Sequence, residues 1–348
     1  MNTGGPMRRI VIDRPGGFDV LRLLEKPVPE PAAGEVVIAC RACGVNYADG
    51  IIRMGLYASA RKLHGYPITP GFEVAGTIAA LGDGVEGWRV GDEVIGLTLF
   101  NGYASHLCLP AEGVFPKPAR LDFEQAATVP TVFLTAWWMV HRQLHPQAGE
   151  TWLIHSAAGG VGSALLQLAH LADVRAVGVV GAAHKVEHAR TMGAESVIDK
   201  SRGDLWEEAE RLAPDGFDAV FDANGVATLK QSYEHLAPTG RLVVYGFASM
   251  LPKNGRRNWL SLALDWLRTP RFNPMDMTQS NRSVLAANLS FLQSHAPTMR
   301  EGMEWLLERF ADGRLEPLPV ESRPLPEAAE AQRRIESGQT VGKLALIP

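Results

Sequence analysis

Cysteine is scarce in this sequence, because its 348 residues include only Cys40, Cys43 and Cys108. An odd number of cysteines at these positions offers no disulfide framework. The cysteine content therefore argues against a small disulfide-stabilised secreted protein and predicts a protein of the reducing cytosol. Cys40 and Cys43 have C-x-x-C spacing, but no second pair follows to complete a zinc site.

Long apolar runs are lacking too, which argues against an integral membrane protein. The densest apolar stretch, residues 131–140, is too short to span a bilayer. Near the N-terminus, Arg8 and Arg9 are not followed by an apolar segment of the signal-peptide type, because Asp13 interrupts it. We therefore expect a cytoplasmic protein with no integral membrane segment.

Neither sign of charge dominates the chain. Lys and Arg number 34 and Asp and Glu number 38, which gives a formal net charge of −4. Since there is no basic stripe or tail, nucleic acid is not expected as a partner. A hydrophobic content of 46% supports large cores, and the length is sufficient for two domains.

The most informative feature present is a glycine-rich turn at residues 156–162, between a predicted strand at 152–155 and a helix that begins near Val161. Small residues let the backbone approach a pyrophosphate, and the helix N-terminus offers N–H groups and partial positive charge. The turn departs from G-x-G-x-x-G because Ala157 takes the first glycine position. It predicts a dinucleotide site, formed by Ala158, Gly159, Gly160, Val161 and Gly162. The alternative is a turn that only packs a βα unit.

Strand and helix patterns alternate from about residue 125 onwards. Predicted strands lie at residues 152–155, 176–180, 196–198, 219–222 and 242–245, with a last strand at 283–291 and helices at 183–192, 205–212 and 226–236. This alternation predicts an α/β fold with a doubly wound parallel sheet. Short strands between Gly- and Pro-rich turns predict a β-rich domain before it. We expect a β-rich domain over 1–125, a nucleotide domain over 126–295, and a tail over 296–348 that returns to the first domain.

The tip of the second strand of the nucleotide domain indicates which dinucleotide binds. NAD sites of this type carry an Asp or Glu about 20 residues after the glycine turn, bonded to the ribose. Here the strand is followed by Gly181 and Ala182, which leave space, and by Lys185, which supplies positive charge. Lys200, after the third strand, adds a second cation. Because a 2′-phosphate needs both space and a cation, the sequence predicts NADPH. Solvated surface lysines are the alternative explanation for both cations.

Two further loops follow later strands of the same predicted sheet. Asn224 follows the fourth strand, and Gly246 and Phe247 follow the fifth. Ligands of such sheets bind outside the carboxyl ends of the strands, so these loops are expected to contact the coenzyme near the nicotinamide ribose. Simple turn chemistry is the alternative.

Several motifs together resemble the medium-chain dehydrogenase/reductase superfamily, and in particular its zinc-independent quinone oxidoreductase branch. They lie at residues 43–49, 70–76, 90–94, 134–137, 157–162 and 341–348. The Trp-rich segment at 256–292 resembles the synaptic vesicle membrane protein (vesicle amine transport) subgroup. The resemblance implies a GroES-like β-rich catalytic domain, a Rossmann domain that binds NADPH, and a homodimer, since many relatives are dimers.

Zinc-dependent members of the superfamily place a cysteine where this chain has Asn46 and a histidine where it has Phe72. An amide and a phenyl ring do not supply two of the ligands that a catalytic zinc ion needs. The cysteine-rich structural lobe of those members is also missing from this sequence. We therefore expect a site without a metal.

The resemblance also implies which residues act. Asn46 is expected to bind the coenzyme ribose or the substrate carbonyl, Tyr57 to donate a hydrogen bond or a proton, and Asp49 to orient these groups. Thr135 is placed beside the nicotinamide, and Lys343 among the coenzyme-binding residues. For each polar residue, local capping or a buried hydrogen bond is the alternative.

The expected activity is NADPH-dependent hydride transfer to a quinone or an α,β-unsaturated carbonyl. Without zinc no Lewis acid holds an alkoxide, whereas reduction of an activated C=C bond or a quinone needs less assistance. Two alternatives stay open. One is a dedicated enoyl reductase of a biosynthetic pathway. The other is a non-catalytic nucleotide-binding scaffold that contacts lipid or a protein partner through an amphipathic segment with Arg256, Arg257, Trp259 and Trp266.

Overall fold

The computed structural model describes residues 5–250 and 259–348, which fall into two compact units. Of these residues, the first unit contains 5–134 and 290–348, and the second contains 135–250 and 259–289. The chain thus leaves the first unit after Leu134 and returns to it at Ser290.

The strands are β1 (Met7–Val11), β2 (Arg22–Lys26), β3 (Glu35–Val45), β4 (Glu73–Leu81), β5 (Glu93–Leu97), β6 (His106–Pro110), β7 (Val114–Pro116), β8 (Thr151–Ile154), β9 (Arg175–Val180), β10 (Ser196–Asp199), β11 (Phe217–Asp222), β12 (Leu236–Val244), β13 (Ser283–Ala286), β14 (Val320–Pro324) and β15 (Lys343–Ile347). The α-helices are α1 (Tyr47–Arg53), α2 (Phe123–Ala126), α3 (Pro130–Trp137), α4 (Gly160–Leu171), α5 (Val186–Thr191), α6 (Leu205–Leu212), α7 (Leu229–Glu234), α8 (Trp259–Arg268), α9 (Pro274–Ser280), α10 (Ala296–Ala311) and α11 (Ala328–Glu336). Two π-helical segments lie at Ala60–His64 and Trp138–Leu144.

The second unit is built on a parallel six-stranded sheet with the order β10-β9-β8-β11-β12-β13. Its central strands are mostly apolar and mostly buried, as expected of strands covered by helices on both faces. The predicted α/β doubly wound fold is therefore confirmed. The strand order reverses between β8 and β11, so the carboxyl ends of these two strands meet at the topological switch point, where ligands of such sheets bind.

Two predicted elements of the second unit have different bounds in the structure. The last strand ends at Ala286 rather than at residue 291, because its partner β12 ends at Val244, the residue that pairs with Ala286. The helix predicted over 226–236 is shorter and spans Leu229–Glu234. It starts late because Gly225, with φ of +85°, forms a turn after β11, and it ends where β12 begins at Leu236.

The first unit contains a seven-stranded sheet in which β14, β15, β3, β4, β5 and β7 are neighbours in that order and β6 pairs with β3. β1 and β2 form a separate antiparallel ribbon. The C-terminal strand β15 pairs antiparallel with β3 through Leu344 and Val45. This pairing brings Lys343, at the start of β15, to the end of β3, which immediately precedes Asn46.

The amphipathic segment singled out in the sequence is described only in part. Arg256, Arg257 and the side chain of Trp259 lie outside the described residues. The helix α8 exposes 79% of Leu260, 63% of Trp266 and 64% of Leu267, so these side chains are not packed into the second unit. Among residues 5–250 and 259–348, no helix is both long enough and apolar enough to cross a membrane.

Candidate active site

The glycine-rich turn lies at the carboxyl end of β8, the central strand at the switch point. Ser156 adopts a left-handed conformation with φ of +54°, and its carbonyl oxygen accepts a hydrogen bond from Gly159 N at 2.9 Å. A Cβ atom on Gly162 would overlap that same carbonyl oxygen, so only glycine fits there. Gly159 then caps α4, whose first N–H groups belong to Gly160 and Val161. The turn thus presents N–H groups at a helix N-terminus, an arrangement suited to a pyrophosphate.

The tips of β9 and β10 lie side by side next to this turn. Gly181 follows β9 and is exposed, and Ala182 is half-buried. A Cβ atom on Gly181 would lie 3.6 Å from Cε of Lys200, so the exposed Lys200 side chain passes beside the tip of β9. Lys185 ends a short 3-10 turn and is half-buried. The structure therefore places at least one cation beside a backbone that lacks a side chain, the combination that a 2′-phosphate requires.

The loops after β11 and β12 lie at the same edge of the sheet. Asn224 is half-buried, and its Oδ1 accepts a hydrogen bond from Ser156 Oγ at 3.3 Å, which joins this loop to the glycine-rich turn. Gly246 and Phe247 follow β12, and a Cβ atom on Gly225 would lie 3.0 Å from Cα of Phe247. Phe247 itself is 47% exposed. All the predicted strand-end residues of the second unit thus belong to one edge.

In the first unit, Asn46 and Asp49 are joined by a capping box at the start of α1. Asn46 N donates to Asp49 Oδ2 at 2.8 Å, and the Asn46 side chain faces the backbone of Asp49. Gly71 N and Tyr103 Oη also donate to Asp49, at 3.0 Å and 2.9 Å. Asp49 is completely buried, so its carboxylate holds α1 and the loop at Gly71 together. Its observed contacts are those of an orienting group.

The surroundings of Asp49 contain groups that raise its pKa and groups that lower it. Burial raises the pKa because a charged carboxylate loses its hydration, and it is the largest effect, so that the pKa of Asp49 is about 7 with all effects together. The hydrogen bonds from Asn46, Tyr103 and Gly71 and the charge of Lys343 lower it. Burial and the neighbouring Asp49 charge also raise the pKa of Tyr103, so its phenol remains protonated and is the donor.

The side chain of Asn46 belongs to a buried polar network with Glu73, Thr131 and Lys343, which we name the Glu73–Lys343 network. Asn46 Nδ2 donates to Glu73 Oε1 at 2.8 Å. Lys343 Nζ donates to Asn46 Oδ1 at 2.6 Å, to Glu73 Oε1 at 3.0 Å and to the Val45 carbonyl at 3.0 Å. Glu73 Oε2 accepts from Thr131 N at 2.6 Å. Glu73 is completely buried and Lys343 is 4% exposed, so this is a desolvated ion pair.

The network fixes the orientation of the Asn46 amide. A lysine ammonium is only a donor and an ionised carboxylate only an acceptor, so Oδ1 must face Lys343 and Nδ2 must face Glu73. One N–H of Nδ2 is used by Glu73, and the other is directed towards Thr131 Oγ1 at the long distance of 3.4 Å. Of the two Asn46 N–H donors, the one directed towards Thr131 is therefore the less strongly engaged. The three donors of Lys343 already bind Val45, Asn46 and Glu73.

Tyr57 packs against an apolar cluster of the first unit. The ring of Tyr57 packs edge-on against Phe72 at 6.0 Å, and Phe72 contacts Phe100 at 5.9 Å. Burial raises the pKa of Tyr57, a hydrogen bond with Ser290 opposes this, and the Asp49 charge adds to it, so the phenol stays protonated at neutral pH. Thr135 is half-buried in α3 and belongs to the second unit.

The positions that hold zinc ligands in the metal-dependent relatives do not fit a zinc ion here. Asn46 Oδ1 is already bonded to the Lys343 ammonium, and a second cation at this position would be repelled. The Phe72 ring packs within an aromatic cluster. No group of three or more His, Cys, Asp or Glu side chains with metal-binding geometry occurs within residues 5–250 and 259–348. The polar groups around Asn46 therefore suit an ion-paired lysine and do not suit a metal ion.

Glu73 and Asp222 are the residues that the sequence interpretation missed. Both are completely buried carboxylates that directly follow a phenylalanine, in Phe72-Glu73-Val74 and Phe221-Asp222. A charged residue within an apolar strand is rarely buried without partners, so its position alone is a signal for a polar network. Which partners it binds follows only from the fold.

Comparison with known proteins gives consistent matches over the whole chain. Residues 32–119 match the alcohol dehydrogenase GroES-like domain, and residues 160–308 match the zinc-binding dehydrogenase family. The synaptic vesicle membrane protein VAT-1 homolog of Rattus norvegicus is 31% identical over 345 residues, which cover 99% of this chain and 84% of the relative.

Two solved structures illustrate the similarity of fold. The quinone oxidoreductase of Escherichia coli complexed with NADPH has a TM-score of 0.85 and 28% identity, with 98% of this chain and 100% of that chain covered. The CurK enoyl reductase has a TM-score of 0.84 and 29% identity, with 99% of both chains covered. The motifs, the two folds and these similarities agree, and the chain belongs to the medium-chain dehydrogenase/reductase superfamily.

Proposed function

We propose that this chain is a zinc-independent, NADPH-dependent oxidoreductase that reduces quinones or α,β-unsaturated carbonyls by hydride transfer. The observation that carries the proposal is the edge of the parallel sheet, where the glycine-rich turn, Gly181 and the Lys200 side chain lie together. The similar Escherichia coli quinone oxidoreductase was solved with NADPH, which supports the same coenzyme here.

The preference for NADPH over NADH rests on what stands at the tip of β9. A carboxylate at this position would bind the ribose hydroxyls of NADH and repel a phosphate. Here Gly181 and Ala182 provide space, and Lys200 and Lys185 provide positive charge. A doubly charged 2′-phosphate gains charge-assisted hydrogen bonds from such lysines, and the 2′-hydroxyl of NADH gains much less.

In the first unit, the proposed role of Asn46 is to donate a hydrogen bond to the carbonyl oxygen of the substrate. Bound NADPH supplies a hydride, and reduction of a conjugated carbonyl leaves negative charge on that oxygen. Donors already held in place stabilise such charge without reorganisation. The Glu73–Lys343 network holds Asn46 Nδ2 as a donor. Tyr57, whose phenol stays protonated, is the proposed proton donor, and Asp49 orients Asn46.

A dedicated enoyl reductase is the second candidate, because the CurK enoyl reductase is as similar in fold as the quinone oxidoreductase. The two candidates share the coenzyme and the hydride transfer and differ in substrate range. The scaffold alternative requires coenzyme binding without turnover, and the exposed face of α8 favours it.

The test is NADPH consumption by the purified chain with a panel of quinones and enones, and with NADH in parallel. We expect turnover of several quinones or enones and a kcat/KM for NADPH well above that for NADH. Turnover of one enoyl thioester alone indicates the dedicated reductase. Tight NADPH binding with no turnover of any compound indicates the scaffold, and no binding of either coenzyme refutes the proposal.

A matched pair of variants tests the phosphate site. Lys200→Ala removes the cation beside Gly181 and is expected to raise the KM for NADPH about tenfold or more, since a charge-assisted hydrogen bond contributes about 1.5–3 kcal/mol. The KM for NADH is expected to stay nearly unchanged. Lys230→Ala is the control, because Lys230 is an exposed lysine of α7 in the same unit. Equal effects on both coenzymes would reject the phosphate role.

The proposal includes a homodimer and a cytosolic location. β13 is an edge strand of the parallel sheet, at the end opposite β10, and a second copy of this chain is the proposed partner for its outer edge. Light scattering of the purified chain tests the dimer, and a monomeric mass over the micromolar range would exclude it. Cell fractionation tests the location.

A further inference from the structure

Asp222, at the carboxyl end of β11, is a completely buried carboxylate below the loops that form the edge of the sheet. Its Oδ1 accepts hydrogen bonds from Asn224 N at 2.8 Å and Gly225 N at 3.1 Å. Its Oδ2 accepts from Thr228 Oγ1 at 2.6 Å and Ser232 Oγ at 2.8 Å. Four donors therefore replace the hydration of this carboxylate, and two of them fix the backbone of the Asn224 loop.

Ser232 extends this arrangement to the strand that carries the glycine-rich turn. Its hydroxyl donates to Asp222, so the Ser232 oxygen is the acceptor for His155 Nε2 at 3.0 Å. His155 is completely buried, and burial lowers its pKa, so the ring is neutral with its proton on Nε2. The unprotonated Nδ1 is buried and has no hydrogen-bond partner within the described residues.

A serine, a histidine and an aspartate in contact suggest a hydrolytic triad, but the order of contacts rules it out. In a nucleophilic triad the aspartate holds the histidine, and the histidine takes the proton of the serine. Here the Ser232 proton is directed to Asp222, and His155 Nε2 lies 3.9 Å from Asp222 Oδ2. The Ser232 side chain is also completely buried, so no substrate reaches it. The contacts of His155, Ser232 and Asp222 are therefore structural. We call these three residues, together with Thr228, the support.

The support connects the glycine-rich turn, which the proposed function assigns to the coenzyme, with the Asn224 loop, which the sequence predicts to contact it. His155 immediately precedes Ser156, whose left-handed conformation begins the glycine-rich turn. Asp222 holds Asn224, and Asn224 Oδ1 accepts from Ser156 Oγ above the buried residues. The two loops are thus joined twice, once at the surface and once through His155, Ser232 and Asp222.

We infer that Asp222, Ser232 and Thr228 are positioning residues that set the spacing between the glycine-rich turn and the Asn224 loop, and so the affinity for the dinucleotide. The inference rests on the proposed function, because it presumes that these loops hold a dinucleotide. Unlike the phosphate site at Gly181 and Lys200, the support acts on loops that would hold the parts of the coenzyme common to NADPH and NADH. Its loss must therefore weaken both coenzymes by the same factor.

The first test is Ser232→Ala, which disconnects His155 from Asp222 and leaves the Asn224 bonds in place. Titration by coenzyme fluorescence is expected to show about a tenfold rise in the Kd of both NADPH and NADH. Ser280→Ala is the control, since within the described parts of the chain its hydroxyl bonds carbonyls of its own helix and Tyr233. It is expected to change either Kd less than twofold. An unchanged Kd in Ser232→Ala, or a change for NADPH alone, would overturn the inference.

A second pair covers the case in which Ser232→Ala does not fold. Thr228→Val keeps the shape of the side chain and removes the donor to Asp222, whereas Thr228→Ser keeps the donor. The inference predicts weaker binding of both coenzymes for Thr228→Val and wild-type binding for Thr228→Ser. Equal affinities of these two variants would contradict it.

A double variant distinguishes positioning from general loss of stability. If the support acts through Asn224, the effect of Ser232→Ala is expected to shrink in an Asn224→Ala background, since interacting sites are not additive. If the double variant raises the Kd by the product of the two single-variant factors, the inference is contradicted. A wild-type chain that binds neither coenzyme refutes the proposed function itself, whereas wild-type binding with unaffected variants refutes only the support.

Discussion

Replacing Asn46 by aspartate is the sharpest test of the Glu73–Lys343 network. The substitution changes one nitrogen into one oxygen and keeps the size of the side chain. In the native chain, Asn46 Nδ2 donates to Glu73 Oε1 at 2.8 Å. In Asn46→Asp, two carboxylate oxygens meet at that distance, and the single Lys343 ammonium must neutralise both.

The expected cost follows from the burial of the site. Removing a hydrogen bond from a buried group costs about 1–3 kcal/mol, and an uncompensated buried charge costs about 3–5 kcal/mol. Since Lys343 still bonds the introduced carboxylate, we expect a loss of about 3 kcal/mol in the free energy of unfolding at pH 8.

The loss is expected to depend on pH with a definite sign. Lys343 lowers the folded-state pKa of the introduced carboxyl group, but it is shared with Glu73. We expect burial and the negative charge of Glu73 to outweigh it and to raise this pKa above the unfolded value of about 3.9. A raised pKa means that stability is fully present below the unfolded value and is lost as pH rises through the folded one. Asn46→Asp is therefore expected to approach the wild type at pH 5 and to fall well below it at pH 8.

The assay is urea unfolding of both proteins at pH 5 and pH 8, together with kcat for an enone. Asn273→Asp is the control, because Asn273 is an exposed N-cap that accepts from Met275 N, a role that aspartate fills equally well. The proposed donor role predicts a fall in kcat of about 100-fold or more, the effect of losing one oxyanion donor. Wild-type stability at both pH values, or a loss that is the same at both, would refute the assigned amide orientation.

Two further predictions concern charge in the two units. Lys185→Ala is expected to raise the KM for NADPH several-fold and to leave the KM for NADH nearly unchanged, and steady-state kinetics with both coenzymes checks this; equal changes would reject a phosphate role for Lys185. Asp49, with its pKa raised to about 7, binds a proton on folding between about pH 4 and pH 7, so its contribution to stability is present below this range and is lost as pH rises through it. As pH rises over this range, the free energy of unfolding of the wild type should therefore fall more steeply than that of Asp49→Asn. The difference in slope is at most about 1.4 kcal/mol per pH unit. Parallel curves for the two proteins would contradict the raised pKa.

Much of the edge of the sheet that we propose binds the coenzyme was predictable, because it is built from local sequence. The strand, turn and helix around Gly159 are contiguous, and their periodicity and small residues predict the βα unit that the structure contains. Gly181, Lys200, Asn224 and Gly246 each follow a predicted strand. In a parallel sheet the carboxyl ends of all strands meet at one edge, so these positions could be grouped before any contact was known.

The contacts of the first unit were not predictable in the same way. The sequence singled out Asn46 and Lys343, which are 297 residues apart, but not that they touch. Their contact depends on the register of β15 against β3, and a shift of one residue would turn Lys343 to the other face of the sheet. Glu73 lies within the motif at residues 70–76, and its partners are Asn46, which directly follows β3, Thr131 of α3 and Lys343 of β15.

By itself, then, the sequence determined the class of fold, the position of the glycine-rich turn and the lack of a carboxylate directly after β9, because each depends on residues close together along the chain. Only the tertiary structure decided which way the Asn46 amide faces and that Lys343 forms an internal ion pair. The same is true of the bonds by which Asp222 supports two loops. Those properties depend on buried polar groups finding partners across strands far apart in sequence. A buried polar group without a hydrogen-bond partner is costly, so a single arrangement of hydrogen bonds is favoured. Which arrangement it is depends on the strand pairing of the completed sheet.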